Sequence, residues 1–153
     1  LITAGGNVLD LACGGGRHGR LFLKRGHPVA FLDRSLAGVA DLRGRAEAEL
    51  IEADVEAGPW PLGQRQFAGV VVTNYLWRPL RPQLIAAVQP GGVLIYETFM
   101  RGNERFGKPS NPDFLLAPHE LLDWCRDGFD IHAFEQGEEA NAVRQRICAV
   151  KTA

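Results

Sequence analysis

A chain of 153 residues has room for one domain with a full core and little beyond it. Its hydrophobic fraction of 46% and charged fraction of 23% are those of an ordinary globular protein, and a net charge of −1 provides no field drawing it to nucleic acid or an anionic membrane. No apolar run nears the roughly 20 residues of a bilayer span, LITAGGN at the start lacks the regions of a secretory signal, and Cys13, Cys125 and Cys148 lack the paired spacing of a disulfide framework or zinc site, so a reducing cytoplasmic location and no metal are expected.

In chain order, NVLDLA (7–12) reads as a strand and RHGRLFLKRG (17–26) as a helix closed by Gly26. PVAFLD (28–33) is a second strand, with proline at its start, where proline is tolerated. SLAGVADLRGRAEA (35–48), rich in alanine and leucine, predicts a helix with Ser35 as its N-cap. ELIEAD (49–54) is a shorter strand, and FAGVVVTN (67–74) has the continuous apolar run of a strand buried on both faces. RPQLIAAV (81–88) is a helix with Pro82 in its first turn, and GGVLIYETF (91–99) a strand. The polar stretch 100–118 has the glycine, proline and asparagine density of a loop. HELLDWCRD (119–127) is a helix ending at Gly128, and FDIHAFEQ (129–136) and VRQRICAVK (143–151) form an antiparallel hairpin across GEEANA. Strands alternating with helices give an α/β fold, an open, mostly parallel sheet covered on both faces.

Ligands of such sheets bind beyond the carboxyl ends of the strands. Gly14, Gly16 and Gly19 fit G-x-G-x-x-G, with Asp33 near the spacing of a ribose-binding acid, which alone fits a dinucleotide equally well. Asp10, in the strand before the glycines, is badly suited to a pyrophosphate, whose charge it repels, and better suited to an ammonium and a sulfonium; its plainer role is to cap backbone N–H groups. Asp33 ends the second strand, where a carboxylate accepts both hydroxyls of a ribose; a helix cap is the alternative, but Ser35 is available for that. Asp54 and Val55 end the third strand and offer an adenine an acceptor, a backbone N–H and apolar surface.

In order, VLDLACGGG, FLDRS, EADVEAGPWPL, FAGVVVTNYL and QPGGVLIYETF resemble the class I S-adenosylmethionine-dependent methyltransferases over essentially the whole chain. The resemblance implies a Rossmann-like sheet of seven strands in the order 3-2-1-4-5-7-6, the last antiparallel, with S-adenosyl-L-methionine as cofactor. Carried over by position, Asp10, Ala12, Gly14 and Gly16 line the methionine and ribose, Asp33 holds the ribose with Arg34 beside it, Asp54 and Val55 hold the adenine, and the Asn74 backbone holds the methionine amino group. Ala12 departs from the family's usual glycine. The compact form is most similar to the small-molecule branch that includes tellurite-resistance and thiopurine methyltransferases. Relatives carry helical cover before the first strand; only LITAGG precedes Asn7, so a single domain over 1–153 with an open acceptor half is expected.

Tyr75, Trp77, Arg78 and Arg81 after the fourth strand, and Tyr96, Glu97, Arg101, Arg105 and Lys108 around and after the fifth, are the acceptor-side candidates. Five basic against two acidic residues between 78 and 108 favour an anionic or oxygen-rich small acceptor, with solvated surface charge as the alternative. Residues 101–118 are expected to be a mobile cover. His18, His119 and His132 have no constellation, and no catalytic residue is assigned; methyl transfer from a sulfonium needs a base only where the nucleophile must lose a proton. Nucleic-acid methylation is disfavoured, because NYLW stands where amino-methylating enzymes have Asn/Asp-Pro-Pro-Tyr/Phe. A nicotinamide-dependent oxidoreductase using the same glycines, and a non-enzymatic S-adenosylmethionine binder, are the competing readings.

Overall fold

The computed structural model describes all 153 residues. The elements are β1 (Val8–Leu11), α1 (Arg17–Lys24), β2 (Val29–Asp33), β3 (Ala48–Glu52), β4 (Phe67–Thr73), α2 (Arg81–Ala87), β5 (Val88–Phe99), α3 (Glu120–Cys125), β6 (Phe129–Glu138) and β7 (Val143–Lys151). They form a 7-stranded sheet in the order β3-β2-β1-β4-β5-β7-β6. Parallel pairing runs from β3 to β5, and β7 lies antiparallel between β5 and β6. The expected sheet order and C-terminal hairpin are both present.

β1 is central, with Val8 paired to Val29 on one side and Gly69 on the other. All four of its residues are buried, which is why VLDL reads as a run rather than an alternation. The two faces are unequally covered. Leu9, Leu11, Val70, Val72, Leu94 and Tyr96 point into the larger core with α2 and α3 residues, whereas Val8, Phe31 and Val71 meet a smaller cluster under α1. Towards β5 and β7 that second face carries ion pairs: Glu97 meets Arg144 at 3.2 Å and Arg146 at 3.4 Å.

The helix expected over 35–48 is not there. Residues Ala37–Leu42 make a short 3-10 helix, Gly44 turns at φ +87°, and Ala48 is already in β3. Composition was outweighed by two glycines. Gly38 lies so close to the glycine turn that a Cβ on it would be 2.6 Å from the Gly14 carbonyl oxygen, and Gly44 holds a left-handed conformation that would end any helix. The 100–118 segment contains 3-10 turns at Asn103–Arg105 and Pro112–Phe114, buries Leu115 and Leu116, and bridges Met100 to Leu116. No helix is long and apolar enough to cross a membrane.

Candidate active site

The turn after β1 sets up the site. Gly16 is the N-cap of α1 and has no side chain to satisfy the first-turn N–H groups. Asp10 reaches up from β1 instead, its Oδ2 accepting the Gly19 N–H at 2.9 Å. Gly19 allows this approach, because a Cβ there would lie 2.2 Å from Cε1 of Phe31 and 2.8 Å from Asp10 Oδ2. The third glycine of the fingerprint therefore serves packing of helix on strand. Asp10 is only 4% exposed. Burial pushes its carboxyl up to about 7, against the Gly19 hydrogen bond and with some help from the charge of Asp33.

Beyond the ends of β1, β2 and β3 lies a cleft of about 320 Å³. Ala12, Asp33, Arg34, Asp54 and Val55 line it, with Glu56 and Tyr75 at the β4 side. Asp33 is held at the cleft edge by two backbone donors, Gly14 N–H to Oδ2 at 2.9 Å and Ser35 N–H to Oδ1 at 3.2 Å. Asp54 caps its own loop through Oδ1, which accepts from Glu56 at 3.0 Å and Ala57 at 3.1 Å. Both carboxylates are thus pre-oriented, and Val55 adds apolar lining. Asp10, Gly14 and Gly16 lie outside the cleft lining: Asp10 is beneath the turn, and the glycines form the turn itself. Ala12 takes φ +54°, a left-handed conformation that glycine adopts without strain.

A second cleft, of about 280 Å³, adjoins the first and shares Glu56 and Tyr75 with it. Asn74, Thr98, Phe99, Pro109 and Phe114 complete its walls. The Tyr75 hydroxyl donates to Glu56 Oε2 at 3.2 Å, and the Tyr75 carbonyl accepts the Tyr96 hydroxyl at 2.6 Å. Burial raises both phenols well above the usual tyrosine range, so both keep their protons. Asn74 sits at φ +56°, its N–H donating to the Glu97 carbonyl at 2.9 Å and its Oδ1 accepting from Arg144 at 2.7 Å.

A family model described as "Methyltransferase domain" matches residues 8–92, a span that contains every strand end lining the first cleft. The chain belongs to this methyltransferase family. Solved structures with the same fold include the glycopeptide N-methyltransferase MtfA complexed with S-adenosyl-L-homocysteine, at 22% identity over 97% of this chain and 84% of that one, TM-score 0.63. They also include the 1,6-didemethyltoxoflavin-N1-methyltransferase of Burkholderia thailandensis with 1,6-didemethyltoxoflavin and S-adenosylhomocysteine bound, at 19% identity over 97% and 72%, TM-score 0.69. A third is an S-adenosylmethionine-dependent methyltransferase from Methanosarcina mazei, at 16% identity over 98% and 94%, TM-score 0.74. No curated protein matches the sequence. The domain thus has the methyltransferase fold of structures solved with S-adenosyl-L-homocysteine or sinefungin bound, and the nicotinamide alternative gains no support.

The acceptor-side residues expected of this methyltransferase lie in several places. Tyr75 is in the second cleft, whereas Tyr96 is 2% exposed and packs edge-on against Trp124, positioning Tyr75 through its hydroxyl. Trp77 packs on the larger core. Arg78 makes a bidentate pair with Glu120, at 2.7 and 2.9 Å, and donates to the carbonyls of Asp113 at 2.9 Å and Leu115 at 2.8 Å. Arg105 pairs with Glu138 at 3.0 Å, and Arg101 is exposed, its backbone N–H bonded to the Leu116 carbonyl. Two of the five basic residues between 78 and 108, Arg78 and Arg105, therefore tie down the segment after β5, and no basic residue lines the second cleft. Glu56, Thr98, Phe99 and Phe114 were not singled out by sequence. Glu56 had the one available signal, an acid two residues past Asp54 in a strand-end loop. His18 has its Nδ1 3.3 Å from Thr73 Oγ1, and burial with the nearby Arg17 charge holds its pKa below the usual value, against Glu97.

Arg78→Ala is expected to cost about 1–2 kcal/mol, the scale of a half-exposed charged pair with its carbonyl bonds. It should also raise hydrogen exchange selectively at 113–117. Exchange unchanged there would show that the segment holds itself.

Proposed function

We propose that the domain transfers the methyl group of S-adenosylmethionine to a small-molecule acceptor in the second cleft. The observation that carries this reading is the wall common to both clefts, Tyr75 and Glu56, which puts a nucleoside-sized space and an aromatic-lined space side by side beyond the carboxyl ends of the strands. In the first, Asp33 accepts the ribose hydroxyls with Arg34 at the rim, Asp54 and Val55 take the adenine edge and face, and the turn 12–16 passes beside the methionine portion. The Asn74 carbonyl, at the border of the second cleft, accepts from the amino group. Among structures of the same fold, one methylates 1,6-didemethyltoxoflavin and another a glycopeptide, which supports a small-molecule acceptor here.

The sulfonium supplies an activated methyl and a good leaving group. What the chain contributes is orientation and a drier surrounding for the nucleophile. Tyr75 is fixed for that task, its carbonyl bonded to Tyr96 and its hydroxyl to Glu56. Calorimetry with the purified protein should show S-adenosylhomocysteine binding and little or none of NAD. Tight NAD binding with no detectable S-adenosylhomocysteine binding would overturn this reading.

A further inference from the structure

Resting on that reading, we infer that the acceptor is an amine carried on a flat apolar body, selected by the Glu56 carboxylate and the rings around it. The second cleft contains one ionisable acid, Glu56, and no basic residue. Glu97, Glu120 and Glu138 each have an arginine partner. Glu56 has none: its side chain meets only the Tyr75 hydroxyl, at 3.2 Å. A carboxylate at a cleft wall without a cation of its own is complementary to a cation brought by the ligand, and repels an anionic one.

The apolar lining agrees. Tyr75, Phe99 and Phe114 line the cleft with aromatic rings suited to a flat body or an ammonium, and Phe114 is 42% exposed. Phe99 already has the Arg144 guanidinium 4.1 Å from its ring centroid. That guanidinium is taken by Asn74 Oδ1 at 2.7 Å and Glu97 at 3.2 Å, outside the cleft lining, so it does not serve an anionic acceptor.

The ammonium held by Glu56 gives up a proton to water at that residue's exposed side. The nitrogen lone pair then forms the new N–C bond as the S–CH3 electron pair passes to sulfur, leaving an uncharged thioether. The methylated nitrogen gains the positive charge lost by sulfur and remains beside Glu56.

The test uses the whole chain and matched probes of nearly one shape: phenethylamine, hydrocinnamate and phenethyl alcohol. Binding of S-adenosylhomocysteine is measured first. If it is absent, the methyltransferase reading fails and this inference with it. In the S-adenosylhomocysteine-loaded protein, phenethylamine should bind about tenfold or more tighter than the other two, the scale of one charge-assisted contact. Glu56→Gln should remove that preference and Glu56→Lys should turn it towards hydrocinnamate. Ratios taken within one variant cancel any change in cofactor affinity, which matters because Glu56 borders both clefts. Hydrocinnamate or the alcohol binding as well as the amine, a preference unchanged in Glu56→Gln, or no probe binding to the loaded protein overturns the inference.

Discussion

Replacing Asp33 by alanine is expected to weaken S-adenosylhomocysteine binding by about 1.5–3 kcal/mol, roughly 10- to 150-fold in Kd. The carboxylate stands at the end of β2 on the wall of the first cleft, where a ribose diol can reach it. It is also where the backbone of the glycine turn is fastened, through the Gly14 N–H at 2.9 Å. Alanine removes both functions, whereas Asp33→Asn keeps an oxygen for Gly14 and loses the paired acceptors. Calorimetry on the two variants separates them: asparagine should lose most of the affinity with little loss of stability, and alanine should lose some of both. If folded Asp33→Ala binds S-adenosylhomocysteine as tightly as the parent, Asp33 is only a fastening for the turn.

The strand ends could be read from sequence because β-sheet topology makes them local. An acid at the close of an apolar run marks a strand end locally, and Asp33, Asp54 and Val55 line the first cleft. Sheet order came from the succession of motifs, since spacing alone does not say which strand lies beside which. Local composition failed at 35–48, where the close approach of Gly38 to Gly14 belongs to tertiary structure and leaves no trace in helix propensity. The arginines failed for a similar reason. Glu120 stands 42 positions from Arg78 and Glu138 33 from Arg105, so a local count of charges does not show that these two arginines meet acids from elsewhere in the chain. Tyr96 illustrates strand alternation: next to Ile95 and Glu97 on the opposite face, it points into the core, and its hydroxyl reaches the site only through the Tyr75 carbonyl.

Asp10 should make the domain less stable as pH rises. In the unfolded chain its carboxyl ionises at the ordinary value of 3.8, and in the fold it is held up at about 7. Between these values the folded state keeps a proton that the unfolded state has released, so the free energy of unfolding falls with increasing pH. The contribution is fully present below the unfolded value and is lost as pH passes through the folded one. Three units at about 1.4 kcal/mol each put the span on the order of 4 kcal/mol. Asp10→Asn retains an oxygen for the Gly19 N–H and has nothing to ionise. Its urea midpoint should match the parent's near about pH 4 and exceed it near about pH 8. Were capping α1 the only task at this position, asparagine would do it at lower cost. A carboxyl poised beneath the turn that borders the cofactor cleft has a further consequence: a bound ammonium favours its ionised form. Binding of S-adenosylmethionine near neutral pH should accordingly release protons in the parent and fewer in Asp10→Asn, measured by calorimetry in buffers of different ionisation enthalpy. Equal release in both, or parallel stability profiles across pH, would assign Asp10 to the helix cap alone.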